Sequence, residues 1–511
     1  MNGAVRFLGT FTDIKEIMVI AGAESSGSLL RELLEFCMPE RVSVYGSGEA
    51  CARLKDGLEK PVHAGIADET DSEKEHLASG KVSCAVPVEY HTPEEAVRRT
   101  GCEGLALLFD EPDAVADITR LTHLAPQILA GSGAGKEAWA FEVWEAFRGC
   151  CPRIYICSRV RRYQRDDRPY EGEWKYEVLD WERREGPELS VIFPMYNVAP
   201  YLRKCIDSVT AWKADYVEYL FVDDGSPDDC ADIVREYAAS DPRVKLLSKE
   251  NGGCASARQF GLERAGGRYV GFIDPDDYTD EDMFRRLLSR AMTGSYEICW
   301  CGYNELYEST GQTAPAEDVL EEPYLGGTSD VHDINRLIAI RRIAIWRGIY
   351  LRSFLDREGI AFHTDLRRFD DLPFKVETMA RARSVVCIPE HLYYYRMARP
   401  GQDVAADDER LYVHFDIFKY LDDFIVPGGS QEQLGYLEIV KLHTHKWALE
   451  KMKDEFVKPY CEMARRDLLA NMSRREGRYY IRSFTSPRDR RFFDAICRGW
   501  VWMVKWLIRR Q

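Results

Sequence analysis

Leu189-Ser190-Val191-Ile192-Phe193-Pro194-Met195-Tyr196-Asn197 opens the part of the chain that decides the fold, and two further apolar runs end in Asp223-Asp224-Gly225-Ser226 and Asp274-Pro275-Asp276-Asp277. Leu189–Pro194, Val217–Val222, Val244–Ser248, Tyr269–Ile273 and Glu297–Gly302 have strand length. Pro200–Trp212, Asp228–Ala239 and Ala255–Ala265, between them, carry helical spacing. Strands and helices alternating over such short connections predict right-handed crossovers and a mostly parallel sheet. Ligands of these sheets bind beyond the carboxyl ends of the strands, so the polar residues at those ends carry the functional information.

Asp, Gly, Ser and Pro are ordinary turn formers, and Asp223–Ser226 taken alone is equally compatible with a plain turn. Asp274, Asp276 and Asp277 are harder to explain that way. Three carboxylates within four residues repel one another unless a cation compensates. A hard cation such as Mg2+ or Mn2+ takes oxygen ligands and completes its shell with substrate phosphates, which implies a nucleotide or diphosphate substrate.

These residues also carry a resemblance. Ser190–Asn197 followed by Tyr201–Val209 is similar to the opening of family 2 glycosyltransferases of the GT-A fold, and Phe221–Ser226 resembles their second strand and turn. Asn251–Arg258 and Gly266–Ile273 resemble the helix and strand that lead into the family's DxD motif, here Asp274-Pro275-Asp276. The resemblance implies that Pro194, Tyr196 and Asn197 border the nucleotide and that Asp224 accepts a hydrogen bond from its base, commonly uracil. It implies that Asp274 holds the ribose or helps the metal, that Asp276 is the main metal ligand, and that Asp277 is a second ligand or sits behind the first. Arg258 would face the nucleotide or pin the loop.

In the same family the proton-accepting carboxylate sits in a Glu-Asp-x-x-Phe pattern at a helix start. Phe369-Asp370-Asp371-Leu372-Pro373-Phe374 fits with Asp at the first position, and Asp371 is the candidate base. Capping of a helix by Asp370 and Asp371 is compatible with that role. Ile345–Tyr350 resembles an acceptor-side segment, although Arg347-Gly348 replaces the commoner Asn-Lys. Leu392–Arg396 matches the family as a core strand or a sugar platform, with Arg396 a candidate to face the diphosphate. His363 and His391 are read as structural rather than metal-bound.

Around this segment the chain is expected to form three regions: 1–187, 188–400 and 401–511. Apolar runs at Ile17–Ala21, Val42–Tyr45, Leu105–Phe109 and Ile154–Cys157 suggest a Rossmann-like α/β domain in the first. Arg159–Gly186 would be its last hairpin or a linker. Glycines after its first strand suggest a nucleotide-binding turn, but no acid ends the second strand where a ribose would be held. The last region reads as helical, at His443–Lys451 and Pro459–Asn471. From Ser473 onward it carries eleven Lys and Arg against three acids. Phe492, Ile496, Trp500, Met503 and Leu507 recur there at helical spacing, which suits a membrane interface or a helix docked on protein, including a second subunit.

The formal charge of −16 argues against nucleic-acid binding. The 15 cysteines form no framework and imply buried thiols rather than zinc. Without an apparent signal peptide or membrane span, a cytoplasmic protein, peripheral on the inner face of the membrane, is expected. The leading expectation is an inverting, metal-dependent transfer of sugar from a nucleotide diphosphate sugar, with UDP expected, to a glycan or lipid-linked acceptor of a bacterial surface polymer. The alternatives are a sugar nucleotidyltransferase, which would need a basic glycine-rich loop that Pro194–Pro200 lacks, and a non-catalytic glycan-binding scaffold. Intact Asp274, Asp276 and Asp371 argue against the scaffold.

Overall fold

The computed structural model describes residues 184–509 apart from 309, 317–321, 340–342, 367, 398–405 and 471–474, together with six strands and a short helical piece within 16–182. The chain divides into two compact units, Met1–Glu185 and Gly186–Gln511.

In the first unit, β1 (Glu16–Ala21), β2 (Arg41–Gly46), β3 (Val88–His91), β4 (Gly104–Phe109), β5 (Arg153–Val160) and β6 (Lys175–Glu182) form one sheet in the order β3-β2-β1-β4-β5-β6. The first five run parallel, and β6 returns antiparallel to β5. The four expected strands fall within β1, β2, β4 and β5, and the charged stretch after β5 supplies the second arm of a hairpin. The glycine-bearing turn expected at Gly22–Gly27 lies outside the described residues.

The second unit is built on β7 (Leu189–Met195), α1 (Ala199–Thr210), β8 (Val217–Asp223), α2 (Cys230–Ala238), β9 (Val244–Ser248), α3 (Cys254–Leu262) and β10 (Tyr269–Phe272). β10, β7, β8 and β9 lie side by side and parallel, as expected from the short crossovers. β7 and β8 are buried along their whole length, which explains why they read as continuous apolar runs rather than alternating ones. Phe193 stacks on Phe221 with centroids 4.1 Å apart.

Beyond β10 the sheet is not mostly parallel. After the two-residue β11 (Tyr278–Thr279) and α4 (Met283–Gly294), β12 (Ile298–Tyr307) pairs with β13 (Gln312–Pro315). β14 (Gly348–Leu351) enters antiparallel between β10 and β12. β15 (Val385–Met397) runs parallel to β12 and antiparallel to β11. The expectation of a mostly parallel sheet therefore needs correction to a mixed one. The reason is local: Gly348–Leu351 is a four-residue strand, too short to show a period, and only its neighbours fix its direction.

At the amino ends of the parallel strands, close approach replaces side chains. Glu218 Oε1 accepts hydrogen bonds from Ser190 Oγ at 2.5 Å and from the Gly266 amide at 2.7 Å. Ser190 Oγ accepts from the Gly267 amide at 2.8 Å. A Cβ on Gly267 would stand 2.5 Å from the Ser190 nitrogen and 2.6 Å from the Tyr269 oxygen, both backbone atoms that cannot step aside.

Region 401–511 is helical, as expected, but its helices are longer than the sequence suggests. Before it, α5 (Arg352–Glu358) and α6 (Asp371–Arg381) belong to the second unit, and α7 (Val413–Ile425), α8 (Gln431–Lys451), α9 (Asp454–Ala470), α10 (Arg475–Phe484), α11 (Pro487–Cys497) and α12 (Val501–Ile508) follow. His443–Lys451 is only the end of α8, whose start is fixed by a capping box of Ser430 and Gln433. Pro459 lies inside α9 rather than opening it. Between these helices, fully buried Lys441 donates to Asp422 at 2.7 Å and to Asp467 at 3.0 Å, and His445 bonds Asp467 at 2.9 Å. The expected apolar stripe of the tail splits in two: Phe492, Ile496 and Leu507 are buried in the core, whereas Trp500 is exposed.

Gly267→Ala is expected to destabilise the domain by about 1–3 kcal/mol, the usual cost of forcing atoms into a packed position. A calorimetric melt should show the transition shifted down, while the neighbouring Gly266→Ala variant should lose less because its Cβ would meet only side-chain atoms at 3.3–3.4 Å.

Candidate active site

The parallel strands end along one edge, where Met195 pairs with Asp223 and Phe272 with Ile192. The residues expected to border a nucleotide gather there. Pro194 is buried within β7, whereas Tyr196 and Asn197 are exposed on the turn that follows. Asn197 has φ +55°, a left-handed conformation uncommon outside glycine and tolerated by Asn more than by most residues. Its amide donates to Ser226 Oγ at 3.4 Å, and Asp228 caps α1 from the neighbouring loop by accepting from the Ala199 amide at 2.9 Å. The two turns are thus tied to each other.

Asp224 is buried and heavily engaged. Its carboxylate accepts from the Gly252 amide at 3.0 Å, the Gly253 amide at 2.7 Å and Lys249 Nζ at 2.6 Å. Gly253, with φ +91°, is the N-cap of α3, so the carboxylate stands at the positive end of that helix. Lys249 was not singled out from the sequence. Its position one residue past β9, on the edge shared with Asp224, is the signal that could have found it.

The second acidic turn separates into residues facing different ways. Asp277 is buried, and its oxygens accept from Tyr393 O–H at 2.8 Å and the Arg396 amide at 2.7 Å. Burial, with the negative charges of Asp276 and Asp274, pushes its carboxyl well above the usual range. That chemistry suits an inward strut better than a metal ligand. Arg396 Nε donates to the Asp276 carbonyl at 2.5 Å, its guanidinium pairs with Glu308, and it lies 4.8 Å from the centre of the Tyr201 ring. The candidate for the diphosphate is therefore committed to holding the backbone of the acidic turn. Tyr393 and Trp346, stacked at 4.1 Å, are core rather than platform.

Arg258 joins this turn to the other candidate segment. One terminal nitrogen donates to Asp274 Oδ1 at 2.6 Å and the other to Asp370 Oδ2 at 2.7 Å. Arg258 and Asp370 are buried, while Asp274 is partly exposed. Asp371 follows as the first residue of α6 and is partly exposed. Burial, then the charge of Asp370, raises its carboxyl to about 7, with Arg258 acting in the opposite sense. A carboxylate poised there can accept a proton near neutral pH. Phe374, three residues on, is fully buried against Phe272 and Phe362, with centroids 5.4 and 4.4 Å away. It anchors α6 onto the strand that leads to Asp274.

Phe369, immediately before Asp370, has φ +56°. A bulky residue in that region is strained, and strain of this kind persists only where packing over-determines it. Its ring lies 5.0 Å from His414 and 5.8 Å from Trp447, on α7 and α8. Burial, and then His445, lower His414 to about 3, so it packs as a neutral ring. No motif around Phe369, His414 or Trp447 signals this brace. His363 bonds Glu377 at 2.7 Å and stacks on Tyr420, a structural role. His391 lies against Gly302 within the sheet. Among the described residues no three His, Cys, Asp or Glu side chains form a ready-made metal cage. Asp274 and Asp276 still fit a hard cation that draws the rest of its shell from water and substrate phosphates.

The described site is thus a mixed sheet with a strand-end acidic turn, faced by a helix-borne carboxylate. The chain's backbone superposes on S. aureus TarS 1–349 in complex with UDP-GlcNAc with a TM-score of 0.51 at 17% identity, covering 63% of this chain and 90% of that one. Residues 190–348 match the family model for glycosyl transferase family 2. Over that segment the chain is similar to the glycosyltransferases of family 2. It is similar to the glycosyltransferase EpsJ of Bacillus subtilis (34% identity over 214 residues, 41% of this chain and 61% of EpsJ). It is also similar to YibD of Escherichia coli (30% over 214 residues, 41% and 61%). The chain thus spans about three-fifths of the length of these relatives.

Arg258→Met keeps the length of the side chain but leaves Asp370 buried without its partner. Removing one member of a buried pair costs about 3–5 kcal/mol, so the urea midpoint of the domain should fall accordingly. A midpoint within a few tenths molar of the parent would show that the bridge is not made in solution.

Proposed function

We propose that residues 188–400 transfer a sugar, with inversion, from a nucleotide diphosphate sugar to an acceptor hydroxyl of a bacterial surface glycan. The single observation that carries this reading is the Arg258 bridge. It places a strand-end carboxylate suited to the donor side and a helix-end carboxylate pair suited to the acceptor side within reach of one guanidinium. A UDP-sugar is the donor we favour, a reading that the TarS complex with UDP-GlcNAc supports.

In this reading Tyr196 and Asn197 border the nucleotide and Asp224 shapes its pocket by holding the Lys249–Gly253 loop. Contact of Asp224 with a base would use the part of its carboxylate that the loop leaves over. Asp276 and Asp274 would hold Mn2+ or Mg2+, which when bound neutralises the charge growing on the leaving diphosphate. Asp371 takes the proton from the acceptor hydroxyl as that oxygen attacks the anomeric carbon. Asp370, locked to Arg258, keeps the start of α6 in place, and its charge helps to keep Asp371 basic enough for the task.

A lipid-linked acceptor, a cytoplasmic location at the inner membrane face, contact of the tail with that membrane and assembly into a homo-oligomer complete the proposal. No described helix is long and apolar enough to cross a membrane.

Nucleotide release from a panel of nucleotide sugars, with and without divalent ions, tests the reading; release from none of them under any ion would overturn it. Asp276→Ala is expected to abolish transfer and metal-dependent donor binding with the melting transition retained, and near-normal turnover with Mn2+ would remove the metal assignment. Asp371→Asn should keep donor affinity by calorimetry and lower turnover by about two to four orders of magnitude. In the parent enzyme the rate should rise with pH through about 7 as Asp371 loses its proton. Loss of that acid limb in Asp371→Asn, but not in Asp370→Asn, assigns the base.

A further inference from the structure

The sequence places Trp500 on the apolar stripe of the tail together with Phe492, Ile496 and Leu507, but the fold uses the stripe differently. Phe492, Ile496, Val504 and Leu507 are buried against the helical bundle. The tryptophans point the other way: Trp500 is 39% exposed, Trp502 71% and Trp506 45%. Trp502 and Trp506 are one helical turn apart on α12, and Lys505 and Arg509 share their face by spacing. Arg498 lies 4.7 Å from the centre of the Trp500 ring. Arg490 and Arg491 are exposed on the preceding α11. Lys505 and Arg509 both approach Asp454, itself exposed, and such surface pairs hold weakly and exchange readily.

Three outward indoles within seven residues are costly to leave in water. Indole rings flanked by Lys and Arg match the headgroup level of a bilayer, where the ring body meets the acyl boundary and the cations meet phosphate. The charge argues for the same occupant. Eleven Lys and Arg against three acids from Ser473 onward stand out in a chain whose formal charge is −16. An anionic surface would repel the acidic remainder and attract this segment, which orients the molecule as well as holding it. α12 has eight residues, about 12 Å of helix, far too short to span a bilayer and suited to lying in its surface.

We propose that α11, α12 and the turn between them form a peripheral docking face for an anionic lipid bilayer, with Trp502 and Trp506 inserting at the interface and Arg490, Arg491, Arg498 and Lys505 meeting lipid phosphate. This deepens the reading of a membrane-borne acceptor and rests on it for its purpose, but it is measured independently of turnover. The bundle face of the same helices keeps the catalytic unit attached, so binding to the membrane needs no refolding of the tail.

The test uses the full chain and sedimentation with vesicles of phosphatidylcholine alone or mixed with phosphatidylglycerol. Binding is expected only to the mixed vesicles, falling as salt is raised. Trp502→Ser/Trp506→Ser should weaken it at least about tenfold and Arg490→Glu/Arg491→Glu similarly, with melting transitions unchanged because these side chains are exposed. Absence of binding by the parent chain, or equal binding by both variants, would overturn the proposal. So would a dimer in light scattering that the tryptophan substitutions dissolve, since the occupant would then be a second copy of this chain. Nucleotide release in the absence of vesicles should be equal in parent and variants. Release by none of them, with vesicle binding intact, would sink the transferase reading and leave the docking face standing.

Discussion

The buried guanidinium of Arg258 is the contact on which the site depends. It lies on α3, between the strand that ends at Asp274 and the helix that begins at Asp371, and it bonds a carboxylate on each side. A guanidinium stays charged at any working pH, and its planar fork presents donors in two fixed directions, so it can hold two acids apart and in register at once. A lysine at the same place would offer a point charge without that geometry. The Arg258 Nε finds no acceptor among the described residues, so the two acids supply the polar contacts that make its burial tolerable.

Around this bridge each buried acid has its own donors. Asp224 is held by two amides and Lys249, and Asp277 by Tyr393 and the Arg396 amide. The acidic turn keeps its shape because Arg396 grips the Asp276 carbonyl from behind. Burying several carboxylates together is unfavourable without such partners. The consequence is a division of labour: Asp224 and Asp277 shape the loops, Asp274 stands partly exposed, and Asp371 retains a carboxyl raised by its surroundings.

The helices after residue 405 take part in this arrangement. Phe369 is held in a left-handed conformation by His414 and Trp447, and α6 is held further by Arg381 donating to the Phe424 carbonyl and Gln433 to the Ala380 carbonyl. The buried Lys441–Asp467–His445 network ties α8 to α9 through hydrogen bonds among buried polar groups. The start of α6, and with it Asp371, is thereby set by residues far along the chain.

The sequence by itself determined the alternating half of the sheet, since β7 and β8 are long apolar runs and the runs of β8 and β10 are marked at their ends by Asp223-Asp224 and Asp274-Pro275-Asp276. Asp371 came from the resemblance of Phe369–Phe374 to the family's Glu-Asp-x-x-Phe pattern. The sequence did not determine the direction of the short β14, the extent of α8 and α9, or which face of the tail looks outward, because these depend on what packs against them. Nor did it show which groups hold four similar aspartates. Asp224, Asp274, Asp276 and Asp277 are the same side chain in similar turns, and only the donors brought from Lys249, Gly253, Arg258, Tyr393 and Arg396, up to 120 residues away, make them different. A side chain's identity is local, but its charge, burial and hydrogen-bond partners are properties of the folded chain.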